Sequence, residues 1–213
     1  MRSVASRRFA MLDESRIPNP GSARLDPPMH GPDTPSTWVQ RFAPLIARGA
    51  NVLDVACGNG RHARLFARRG CVVDAVDRDP ECGVLLADEP NVRFLAADLE
   101  AGPWPYAGRR FDAIVVANYL HRPLFPQLAA SLADGGVLLY ETFAAGNERY
   151  GRPSNPDFLL KPRELLEAFG GQLHVLAFED GVVAAPRPAR IQRLCGVRAS
   201  ADAHERLRLD PAD

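Results

Sequence analysis

Val52-Leu-Asp-Val-Ala-Cys-Gly-Asn-Gly-Arg61 is the stretch whose reading decides the fold. Its apolar start has the character of a buried strand, Gly58 and Gly60 make a turn, and a helical pattern over 61–69 follows at once. Glycine takes φ > 0 and has no Cβ, so backbone can turn tightly at a helix N-terminus and approach a ligand closely. Gly-x-Gly alone is weak evidence. Asp54 sharpens it, because a nicotinamide-binding strand normally enters its loop with apolar residues only; a carboxylate there accepts from loop N–H groups and can reach a cationic ligand. A second acid is expected about twenty residues on, at the end of the next strand, to accept from ribose hydroxyls. Asp77 closes Cys71-Val-Val-Asp-Ala-Val-Asp77 at that place.

The pattern continues outward from there. Val92-Arg-Phe-Leu-Ala-Ala-Asp98-Leu99, Phe111-Asp-Ala-Ile-Val-Val-Ala-Asn118 and Leu132-Ala-Asp-Gly135-Gly136-Val-Leu-Leu-Tyr resemble, in order and spacing, the third, fourth and fifth strands of class I S-adenosylmethionine-dependent methyltransferases. The likeness covers roughly residues 34 to 198. Within that family, Gly-Asn-Gly-Arg followed by Asp-Ala-Val-Asp-Arg is most similar to the branch that includes tellurite-resistance methyltransferases. The resemblance implies an α/β Rossmann-like three-layer sandwich, with a mostly parallel seven-stranded sheet whose last strand is antiparallel. It also implies S-adenosyl-L-methionine as cofactor and a small-molecule methyl acceptor.

The residues themselves predict strands near 51–55, 72–76, 92–96, 111–116 and 136–142, each a nearly continuous apolar run as in a parallel sheet covered on both faces. Helices are expected over 61–69, 80–88, 122–133 and 162–169. Another is expected at Pro35–Phe42, whose apolar residues Trp38, Val39 and Phe42 have helical spacing ahead of Pro44. Leu173–Phe178 and Ile191–Val197, separated by the Pro-rich 185–189 turn, read as a closing hairpin.

The chain has 213 residues and 46% hydrophobic content, enough for one sizeable α/β core at 34–213. Residues 1–33 hold five prolines and no apolar periodicity and read as a disordered tail. No apolar run approaches the ~18 residues of a membrane helix, so no membrane association is expected. With 26 basic and 26 acidic residues, general nucleic-acid binding is not expected either. Cys57, Cys71, Cys82 and Cys195 form no C-x-x-C pair and no metal-ligand spacing, which points to a reduced, cytoplasmic chain without a metal.

The resemblance assigns cofactor contacts to Asp54, Ala56, Cys57, Gly58, Gly60, Arg61, Asp77, Arg78, Asp98, Leu99 and Asn118. Of these, Asp77 would take the ribose, Asp98 the adenine amino group, Arg61 the carboxylate as a bidentate donor and Asn118 the methionine part. An activated methyl needs an acceptor in line and desolvated, and a strong base is optional. His121, the residue type that titrates near neutrality, is the candidate base. Tyr119, Glu141, Asn147, Arg149 and Tyr150 are candidate substrate contacts, since they follow the ends of strands four and five, and Arg149 or Arg152 would draw an anionic acceptor. Two rivals remain at this level. A nicotinamide oxidoreductase shares Gly-x-Gly-x-x-Ala but not Asp54, and a catalytically silent binding module would look the same.

Overall fold

The computed structural model describes residues 34–185 and 187–198. The tail read over 1–33, and Pro186 in the hairpin turn, lie outside the described residues. Twelve regular elements follow one another: α1 (Thr37–Phe42), β1 (Asn51–Val55), α2 (Arg61–Arg68), β2 (Val72–Asp77), α3 (Glu81–Leu85), β3 (Val92–Ala96), β4 (Phe111–Ala117), α4 (Phe125–Ala130), β5 (Leu132–Phe143), α5 (Glu164–Phe169), β6 (His174–Val183) and β7 (Ala189–Val197). Together the strands form one seven-stranded sheet in the order β3-β2-β1-β4-β5-β7-β6. All neighbours are parallel except β5–β7 and β6–β7, so the last strand alone runs against the others, as expected.

Side chains alternate across the sheet, and each face therefore needs its own cover. Val52, Val73, Ala75, Val115 and Leu139 meet Trp38, Val39, Phe42, Ala63 and Phe66 from α1 and α2. On the opposite face Leu53, Val55, Ile114, Val116 and Leu138 meet Leu128, Leu165 and Phe169 from α4 and α5. That makes three layers. β1 and β4 lie side by side where the strand order reverses, and ligands of open α/β sheets bind outside the carboxyl ends at such a point.

The structure departs locally from the sequence reading in three places. The expected helix over 122–133 is a 3₁₀ turn at Arg122–Leu124 followed by the shorter α4, because Leu132 already pairs with Phe111 as strand. The ladder then resumes at Ala113 with Val137, so 133–136 bulge out of β5. Gly136 permits this, since a Cβ there would sit 2.8 Å from the Ala133 carbonyl oxygen and 2.9 Å from that of Phe111. The helix over 80–88 is likewise trimmed to α3, and the hairpin strands extend further than their apolar cores. Among the described residues no helix is long and apolar enough to cross a membrane.

Candidate functional site

Two cavities open at the carboxyl ends of the strands. The larger, about 540 Å³, is bounded by Ala56 and Gly58 of the glycine turn, Asp77, Arg78 and Asp79 after β2, and Ala97 to Glu100 after β3. Cys82 of α3, Asn118 and Tyr119 after β4 and Phe158 from the loop beyond β5 complete it. Asp77 braces the glycine turn: one carboxylate oxygen accepts from the Gly58 N–H at 2.9 Å and the other from the Asp79 N–H at 3.1 Å. Asp98 accepts from the N–H groups of Glu100 and Ala101 at 2.9 and 3.2 Å, and these bonds hold its carboxyl below the usual range, with smaller contributions from Arg78 and His121. Gly58 has φ 54°, and a Cβ on it would meet nothing within 4 Å, which leaves bare backbone at the cleft wall. Ala56 and Asn118, also on that wall, are two of the three non-glycine residues with positive φ among the described residues, so backbone strain concentrates here.

Beneath the turn the arrangement is different from a simple ligand contact. Asp54, only 1% exposed, accepts from the Ala63 N–H at 2.9 Å, so it fastens the first turn of α2, whose N-cap Gly60 offers no side chain. Burial raises the Asp54 carboxyl to about 8, against the opposing effects of the Ala63 bond and Arg61. Gly60 has φ 77°, and its missing Cβ makes room for the Leu86 side chain, 2.3 Å away from where it would be. Cys57 is buried, and burial pushes its thiol up. Asp54, Gly60 and Cys57 thus support the turn from below and line neither cavity.

Arg61 is 8% exposed and its Nη1 has no hydrogen-bond partner among the described residues. Burial lowers its pKa, while Glu141 and Asp54 act to retain the charge. A buried guanidinium N–H without an acceptor is costly, and an anionic ligand group relieves it. The fit to an S-adenosylmethionine-like molecule rests on the bare cradle at Gly58 in the cleft wall; Arg61 lines neither cavity, and its orphaned donor is a second feature that an anionic group reaching it would satisfy.

The second cavity, about 360 Å³, shares Asn118 with the first and is otherwise walled by Thr37, Glu141, Thr142, Ile191, Arg193 and residues 183–185. Glu141 is 3% exposed. Burial raises its carboxyl, opposed by a hydrogen bond from the Ser36 hydroxyl and by Arg193 and Arg61. Ser36 also caps α1 through the Trp38 N–H, and its own N–H donates to His62 Nε2 at 3.1 Å. Those bonds tie α1 down beside Glu141.

The other expected contacts lie elsewhere. Asn147 is buried, but its Nδ2 donates to the Pro153 carbonyl and its Oδ1 accepts from the Arg190 N–H, so it clamps the loop after β5 onto β7. Arg149 and Tyr150 are exposed, and they and His121 line neither cavity. Sequence reasoning missed Phe158, Thr37 and Arg193. For Arg193 a signal existed: a charge inside the apolar strand Ile191–Val197.

A family model described as a methyltransferase domain matches residues 30–167. An uncharacterized methyltransferase of Mycobacterium tuberculosis is 37% identical over 109 residues, 47% of this chain and 54% of that protein. Trans-aconitate 2-methyltransferase of Delftia acidovorans is 31% identical over 103 residues, 44% of this chain and 38% of that protein. The chain thus spans about half or less of the length of these curated relatives. The crystal structure of TehB from Haemophilus influenzae superposes with TM-score 0.63 at 17% identity, covering 76% of this chain and 61% of that one. The 1,6-didemethyltoxoflavin-N1-methyltransferase of Burkholderia thailandensis, solved with bound 1,6-didemethyltoxoflavin and S-adenosylhomocysteine, gives TM-score 0.56 at 21% identity over 76% of each chain. These two likenesses establish the shared fold.

Proposed function

The chain belongs to the methyltransferase-domain family, and from that premise we propose that it transfers a methyl group from S-adenosyl-L-methionine to a small-molecule acceptor by in-line displacement, in a cytoplasmic setting. The observation that carries this reading is the larger cleft itself, where Gly58, Asp77, Asp98 and Asn118 converge beside the reversal point of the sheet. Asp77 would hold the ribose hydroxyls while continuing to brace Gly58. Asp98, with Leu99 beside it, would receive the adenine end, and Arg78 would lie along it. Arg61 would give its unpartnered Nη1 to the carboxylate, and Asn118, on both cavity walls, would stand between donor and acceptor. The cofactor, when bound, supplies a methyl group already activated by its sulfonium. What this chain adds is position: a fixed, water-poor approach for the acceptor, which by itself removes much of a bimolecular barrier.

The test is binding first and turnover second. S-adenosylmethionine and S-adenosylhomocysteine should raise the melting temperature, by about 2.7 kcal/mol of linkage at ~100 times the dissociation constant, and NAD and NADP should not. Pooled small molecules should then yield S-adenosylhomocysteine. Stabilisation by nicotinamide cofactors alone would overturn the assignment.

A further inference from the structure

The smaller cavity differs from the cofactor cleft in what its walls offer. Residues 183–185 and Ile191 make one side apolar, and its volume of about 360 Å³ lies at the low end of small-molecule sites. Its charges lie near opposite charges. Arg193 Nε lies 3.0 Å from Glu179 and its Nη1 lies 4.0 Å from Glu141, while its guanidinium rests 5.2 Å from the Trp38 ring centroid. Glu179 in turn pairs with Arg41 at 3.1 Å. Arg61 lies in the field of both Asp54 and Glu141.

We propose that this cavity is the acceptor subsite and that it takes compact, uncharged molecules, an N–H or O–H group on an apolar body, with Glu141 receiving that hydrogen bond. The proposal rests on the methyltransferase reading for the adjacency of the two sites, which Asn118 provides by lining both. An anionic acceptor would bring its charge beside the buried Glu141, and the one guanidinium lining the wall, Arg193, already has two carboxylates within 4.0 Å, Glu179 and Glu141. Such a charge taken from water without an uncommitted partner is strongly disfavoured. A cationic acceptor would face Arg193. A neutral donor meets neither difficulty: a carboxylate has room for several hydrogen bonds, so Glu141 can accept one more while keeping its bond from Ser36. The exposed Arg149 and Tyr150 take no part in this choice.

The experiment uses the full chain and three probes of one shape: 2-naphthol, 2-naphthoate and 2-naphthylmethylammonium. Each is titrated with and without saturating S-adenosylhomocysteine, whose own titration is recorded separately. 2-Naphthol should bind at least about tenfold more tightly than either charged probe, a difference of ~1.4 kcal/mol. Glu141→Gln should narrow the gap to 2-naphthoate. Ala184→Phe, at an exposed position of the hairpin on the cavity wall, should abolish 2-naphthol binding and leave S-adenosylhomocysteine affinity as it was. Equal or tighter binding of 2-naphthoate, an unchanged gap in Glu141→Gln, or 2-naphthol binding that survives Ala184→Phe would overturn the proposal. Failure of S-adenosylhomocysteine to bind while the probes discriminate as expected would instead sink the cofactor reading and leave the cavity's selectivity standing.

Discussion

The two halves of the sheet build their sites in opposite ways. On the β3-β2-β1 side most contacts come from a strand end and the few residues after it: Gly58 after β1, Asp77 and Arg78 at the end of β2, Asp98 and Leu99 after β3. On the β5-β7-β6 side the cavity draws Thr37 from α1, Glu141 from the end of β5, residues 183–185 from the hairpin turn and Arg193 from the middle of an antiparallel strand. The first site is a property of parallel topology, which aligns all strand ends at one edge. The second is a property of this chain's tertiary contacts. Local changes should therefore damage cofactor binding directly, whereas the acceptor side should respond mainly through stability and selectivity.

Asp77→Ala should have the largest effect on the first side. It removes an expected ribose acceptor and frees the N–H groups of Gly58 and Asp79. Hydrogen bonds to charged groups contribute ~1.5–3 kcal/mol, so the dissociation constant for S-adenosylhomocysteine should rise roughly ten- to a hundredfold by calorimetry. An unchanged titration would break the contrast between the halves at its strongest point.

Asn147→Ala should do the reverse. Losing both hydrogen bonds of a 1% exposed side chain leaves the Arg190 N–H and the Pro153 carbonyl unpaired, a cost of about 1–3 kcal/mol in chemical unfolding. Cofactor affinity should not move. Gly60→Ala belongs with it rather than with Asp77, because the added Cβ meets Leu86 and the backbone holds φ 77°, an expected loss of ~1–2 kcal/mol. Combining it with Leu86→Ala should cost less than the sum of the two changes. Strict additivity would restore close ligand approach as the reason for glycine at position 60.

These contrasts also explain what was legible in the sequence. Strand β1, the glycine turn and the acids at Asp77 and Asp98 were readable because each signal is local and repeats at the end of an apolar run. Glu141 was readable for the same reason, an acid closing Val137–Tyr140. The start of β5 was not: Gly135-Gly136 looks like a turn, and only pairing of Leu132 with Phe111 shows it to be a bulge inside the strand. Asn147 looked like a binding residue because a polar side chain in a long loop carries no sign of whether its partner is ligand or backbone. Arg193 and Thr37 gain meaning only through contacts with chain far away in sequence.

Asp54→Asn tests the layer beneath the glycine turn through pH. Burial pushes the folded carboxyl up to about 8, above the unfolded value of ~3.9, so the unfolded chain releases its proton first and ionisation favours unfolding. Wild-type stability is therefore drained as pH rises through that window and levels off above about 8. The Asn variant keeps an acceptor for the Ala63 N–H and has no such proton. Its melting temperature should gain steadily on the wild type from about pH 5 to about pH 8. A constant difference would mean that Asp54 is ionised throughout, as a direct ligand group open to water would be.

The smallest effect is expected from His121→Ala. His121 follows β4 close enough to act on Asp98, yet it lines neither cavity, while Glu141 lines the one beside Asn118. If orientation and Glu141 serve the acceptor, turnover with whichever acceptor the screen returns should change far less than the ~10²–10⁴-fold that a general base contributes. Its pH profile should keep its shape. A fall of that full size, with loss of a limb near the histidine range, would assign proton transfer to His121. It would also move the chemistry from the β5–β7 side of the sheet to the cofactor side, where sequence alone had placed it.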